Sequence, residues 1–217
     1  MSLTEAETLF AGVHESGLND LLTAFFRARP RMLNYRTSDQ VVDSPTDPDE
    51  WTPLQPIAFP GAPPIHYAAQ LEIPHVDIHP GSSALTPPLV LGDQLFALQT
   101  SAVLYLLCRS RKGREERLGT VLRTGLEVAA IGRFVRRGTP GSARVSVEIL
   151  QVEIADISLD SLESILECLL LTILSAALAP FEIPLAQLPV PALGVALSVV
   201  RGPEAEDDQF KLYGTVA

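Results

Sequence analysis

The sequence predicts an α+β protein. Long antiparallel strands, which coil, combine with a long helix in the C-terminal half and a second long helix at the N-terminus. Three observations predict it. Apolar residues alternate with period two through much of residues 65–157 and again over 210–216. Residues 158–180 read SLDSLESILECLLLTILSAALAP, with apolar side chains at helical spacing and no proline before Pro180. The first thirty residues also carry helical spacing and stop at Pro30. No repeat or linker divides the chain, so residues 1–217 are read as a single domain.

The first helix is expected over residues 4–29. Thr4 and Glu7 fit a capping box, and Leu9, Val13, Leu18, Leu21, Leu22, Phe25 and Phe26 form its apolar stripe. Gly12 and Gly17 each weaken it by about 1 kcal/mol relative to alanine. Seven prolines then fall between Pro45 and Pro64, mixed with Asp47, Asp49 and Glu50. Such a stretch is an extended connection, with one short edge segment over 54–59. Trp51 within it is read as an anchor onto the body of the protein.

Strands follow. Residues 65–78 form one, interrupted at Pro74, which suits an edge or a bulge. Residues 89–109 form a long strand that is apolar on both faces from Ala102 to Cys108. After the basic turn 110–114, residues 118–137 form another. Leu118, Leu122, Leu126, Val128, Ala130 and Phe134 share one face, with Arg123, Glu127 and Arg133 on the other. Beyond the turn 138–141, residues 143–157 change parity. Val145, Val147 and Ile149 are followed by Leu150, Val152 and Ile154, the signature of a β-bulge.

Ser158 is the expected N-cap of the second helix, and Asp160 places negative charge in its first turn. Leu162, Ile165, Leu166, Leu169, Ile173, Leu174 and Ala177 form a broad apolar stripe. The uncharged run from Cys168 to Phe181 is 14 residues, short of the roughly 20 that span a bilayer. Short strands at 181–185, 193–200 and 210–216 close the chain, the last two joined by an acidic turn over 203–208.

Bulk composition excludes some functions. Hydrophobic residues make up 47% and mean hydropathy is +0.22, with only 6% aromatics. Net charge is −10, against a nucleic-acid partner, because phosphate binding needs a basic surface. MSLTEAETLF has no basic n-region or apolar h-region, so the expected location is cytoplasmic, or secreted or periplasmic if a leader has been removed.

Few residues carry a chemical signal. His75, Asp77 and His79 point the same way on a strand and are a weak metal candidate, read first as a polar edge between Pro74 and Pro80. Cys108 and Cys168 are either one bridge or two free thiols, and a reducing cytoplasm favours thiols. Nucleophile elbows, phosphate loops and dinucleotide fingerprints are absent, and no catalytic pair stands out, so no enzyme and no cofactor are expected. Two basic clusters, Arg109–Arg117 and Arg133–Arg144, sit near opposite strand ends. They read as solvated turns or as contacts for anionic lipid heads at a membrane surface.

The order of long helix, coiled strands, very apolar helix and closing strands resembles the tubular lipid-binding (TULIP) superfamily, of the bactericidal/permeability-increasing type. The helix at 158–179, the segments Ile183-Pro184-Leu185 and Leu188-Pro189-Val190-Pro191, and the strand at 210–216 carry the resemblance. It implies a long, highly curved antiparallel sheet wrapped around the helix of the C-terminal half, with a hydrophobic channel between sheet and helix that holds a lipid. Leu162, Ile165, Leu166, Leu169 and Ile173 would line it from the helix, facing Leu122, Leu126 and Val128 on the sheet. It also implies a Cys108–Cys168 disulfide, since secreted members tie a strand to the second helix. The alternative is a structural or toxin-accessory protein with a filled core, its surplus apolar surface buried against a second copy or a partner.

Overall fold

The structure is a computed structural model. It describes residues 9–37, 46–58, 61, 63–78, 85–112, 115–139, 142–155, 160–185 and 197–216. Within these ranges it leaves undescribed the side chains of residues 48, 108–112, 115–121, 160–162, 197–198 and 216.

In chain order the elements are β1 (Leu9–His14), α1 (Glu15–Ala28), β2 (Asn34–Arg36), β3 (Thr52–Pro53), β4 (His66–Leu71), β5 (His75–Asp77), β6 (Phe96–Lys112) and β7 (Glu115–Arg137). They continue with β8 (Arg144–Ile154), α2 (Asp160–Leu178), β9 (Glu182–Pro184), β10 (Leu197–Glu206) and β11 (Gln209–Val216). The fold is α+β and mostly strand. The main sheet runs β3-β2-β4-β6-β7-β8-β9, with β5 also on β6, and curls into a half-barrel. It is mixed rather than purely antiparallel, because β3 pairs with β2 in parallel. A smaller sheet, β1-β11-β10, stands beside it.

The first helix is shorter than its pattern predicts. Residues 9–14 are strand β1, paired from Leu9↔Gly214 to His14↔Gln209. Helix begins only at Glu15, where the His14 ring Nδ1 accepts from Ser16 N at 3.2 Å. An unpaired β11 edge outweighs helix propensity already weakened by Gly12 and Gly17. Thr4 and Glu7 lie outside the described residues. Leu18, Leu22 and Phe26 are buried, whereas Leu21 is exposed.

β6 and β7, of 17 and 23 residues, form the backbone of the sheet. The predicted interruption at Pro74 separates β4 from β5, which pair with successive stretches of β6. The predicted bulge in β8 falls at Leu150, because Ile131 pairs with Gln151 while Gly132 pairs with Ile149. Gly132 is required there: a Cβ would lie 2.6 Å from Phe96 Cζ and 3.1 Å from the Glu148 carbonyl oxygen. The expected acidic turn over 203–208 shrinks to Asp207-Asp208, both at positive φ. Residues 203–206 instead continue β10 past a bulge at Gly202, whose φ is +96°.

The main core lies between the inner face of the sheet, both helices and the small sheet. Phe96, Phe134 and Phe210 stack in sequence, with centroids 4.6 and 4.8 Å apart, and join the two sheets. The outer face of the main sheet is covered too. Trp51 packs on Ala68, Tyr105 and Leu107, as the anchor reading expects, and Leu89 packs on Ala129 and Ile131. That explains why β6 is apolar on both faces.

Candidate functional site

Five of the eight expected channel residues meet in one core: Leu126 and Val128 on β7, and Leu166, Leu169 and Ile173 on α2. Their packing is close, with Ile173 fully buried. A partly open gap between α1, β6 and Phe181, lined by none of these five, holds about 10 Å³, about what one water needs. Leu122 and Ile165 differ, at 45% and 38% exposed. The Leu162 side chain lies outside the described ones. Along β7 the inner face therefore opens from buried Leu126 to exposed Leu122, whose β6 partner Leu106 is half-buried. β8 has ended by then, since its last pair is Val128↔Ile154. α2, about 28 Å long for its 19 residues, is far shorter than β7.

The weak metal candidate is only partly visible. His75 is exposed, with its Nε2 3.3 Å from Asn19 Nδ2, and Asp77 is half-buried. His79 lies outside the described residues. Cys168 is a free, exposed thiol on α2, and the side chain of Cys108 lies outside the described ones. Of the second basic cluster, Arg133 pairs with Glu148 at 2.7 Å and Arg144 with Glu182 at 2.6 Å. Side chains of the first cluster lie outside the described ones. No helix among the described residues is long and apolar enough to cross a membrane.

Two groupings escaped the sequence reading. Oxygens of Glu153 on β8 and of Glu163 and Glu167 on α2 lie within 4.8 Å of one another. Burial raises the Glu167 carboxyl to about 7, helped by a hydrogen bond with Glu153 and the charges of Glu153 and Glu163. The Ile154 backbone N–H donates to Glu167 and works the other way. The spacing of Glu163 and Glu167, one helical turn, was the only trace in sequence.

The second is an open cleft of about 610 Å³ at the C-terminal end of α2, beside Ala176 and Pro180. Tyr35 on β2 lines it, with Met32 and Leu54 beside it. Arg29, Arg31, Asp49 and Glu50 bring charge to the same cleft. The turn that carries Arg31 is fixed to β3, since the Thr52 hydroxyl donates to the Arg31 carbonyl at 2.7 Å. Arg29 holds its guanidinium over the Phe25 ring, 4.6 Å from its centroid. Residues so far apart in sequence gave no local signal.

No protein-family model matches the chain, and no curated protein does. Among solved structures it is similar to one described as "Crystal structure of lipopolysaccharide binding protein", at 13% identity and a TM-score of 0.30. The match covers 96% of this chain and 40% of that one, so the chain spans well under half that protein's length.

Proposed function

We propose that this chain is a non-enzymatic module that binds a lipid or other long hydrophobic molecule along the inner face of its sheet, beside α2. The supporting observation is that the apolar inner face outruns its cover. On β7 it carries from buried Val128 and Leu126, past Thr124, to exposed Leu122, while Ile165 on α2 is also exposed. Each such side chain contributes about 1.5–3 kcal/mol when taken fully out of water. The close packing of Leu166, Leu169 and Ile173 restricts an acyl chain to the stretch of β7 around Leu122, or requires α2 to lift from the sheet. Titration with a fluorescent fatty acid tests this. Saturable binding that Leu122→Glu and Ile165→Glu weaken supports it; an unchanged affinity in both variants contradicts it.

A second reading has its own support. The close packing of Leu166, Leu169 and Ile173 favours an assembly or accessory protein, whose exposed apolar side chains meet a second copy or a partner. Sedimentation equilibrium separates the two. A stable oligomer with no bound lipid favours assembly; a monomer that binds fatty acid removes it.

A further inference from the structure

We propose that the cleft at the C-terminal end of α2 is a binding site for a small zwitterionic molecule that carries an apolar group. The site includes neither Leu122 nor Ile165 and does not rest on the lipid reading above.

Three features point to it. First, Tyr35 is 2% exposed and lines the cleft, and its hydroxyl, which makes no hydrogen bond among the described residues, keeps contact with the solvent of the cleft. A hydroxyl that borders the cleft is a ready hydrogen-bond donor for an occupant. The other two tyrosines of the main sheet are satisfied: Tyr67 donates to the Gln55 carbonyl and Tyr105 to Gln70 Oε1. Burial raises the Tyr35 phenol to about 12, so it stays protonated and offers a donor at any physiological pH. An occupant that presents an acceptor there gains a hydrogen bond.

Second, the cleft carries two guanidinium groups, Arg29 and Arg31, and two carboxylates, Asp49 and Glu50. None of the four has an ion-pair partner among the described residues. The contrast is with a smaller cleft of about 360 Å³ on the other side of α2. There Glu148 and Glu182 are already engaged by Arg133 and Arg144. Balanced, unpaired charges suit a ligand with one group of each sign. Third, Met32, Leu54 and Ala176 supply apolar wall between the charges, and 610 Å³ lies within the usual range for small-molecule sites.

The shared chemistry fits a zwitterionic amphiphile or a free apolar amino acid, and two probes distinguish them. Met1 and Met32 are the only methionines, so a Met methyl spectrum reports on the cleft directly. The protein is titrated with decylphosphocholine below its micelle-forming concentration, and separately with free leucine. A saturable shift of the Met32 methyl is expected. Tyr35→Phe, which keeps the ring and removes an unpartnered hydroxyl, weakens it about tenfold. Glu50→Gln weakens it several-fold, and Leu122→Glu leaves it unchanged. Response to leucine as well identifies a free zwitterion; response to decylphosphocholine alone identifies the amphiphile. No shift with either probe, or a shift that Tyr35→Phe leaves untouched, overturns the proposal. So does loss of the response in Leu122→Glu.

Discussion

The side-chain amide of Asn19 binds the backbone of Val76 in both directions. Its Nδ2 donates to the Val76 carbonyl and the Val76 N–H donates to its Oδ1, each at 2.8 Å. One turn earlier on α1, Glu15 Oε2 accepts from Ile78 N at 2.7 Å. The helix thus takes the place of a neighbouring strand along β5 and covers an edge that would otherwise be open. Asn19→Leu leaves a part-buried donor and acceptor unmet. It is expected to cost about 1–3 kcal/mol in urea denaturation, and an unchanged midpoint would show that water replaces the amide.

Gly132 is where β7, the β8 bulge and Phe96 come closest. Gly132→Ala sets a methyl against the buried Phe96 ring and a backbone carbonyl that cannot turn away. A loss of about 1–3 kcal/mol is expected from overpacking, read as a lower thermal midpoint. A neutral result would mean that the Phe96–Phe134–Phe210 stack shifts freely.

Trp51 is the only tryptophan, and it holds the proline-rich connection on the outer face of β4 and β6. Its emission is expected to be blue-shifted in the native state. Trp51→Ala should cost about 3–5 kcal/mol if the connection stays in place. A cost below about 1 kcal/mol would show that the segment holds without it.

Glu167 links stability to pH. Its carboxyl titrates near 7 in the folded chain, above the ordinary value of 4.5. The folded state therefore binds the extra proton between those values. Stability falls as pH rises from about 4.5 to about 7 and is level above. Glu167→Gln removes the repulsion from Glu153 and Glu163. A gain on the order of 1 kcal/mol or less is expected at pH 8, allowing for solvent screening, and none at pH 4. Equal effects at both pH values would contradict a titrating origin.

Strand identity was legible in sequence where alternation was strict. β11, β7 and the β8 bulge follow from which side chains must face the core. Leu9–His14 was misread because its apolar spacing also fits a helix. Only the presence of β11, two hundred residues away, decides for strand. Trp51 was legible as an anchor because a lone tryptophan among prolines has little else to pack on. For the site, the inner face of β7 and the stripe on α2 could be read from periodicity. How far α2 covers β7 could not, since that depends on helix length set against strand length in space. The Tyr35 cleft and the Glu153–Glu163–Glu167 cluster unite residues from separate elements, which no local pattern encodes.

Native mass spectrometry of the chain purified without detergent tests the central claim most directly. The expected result is a mass excess matching a lipid, released by organic solvent. It should fall several-fold in the Leu122→Glu, Ile165→Glu double variant, with no loss of thermal stability. A wild-type chain that flies at its bare mass, even after incubation with mixed lipids, would contradict it.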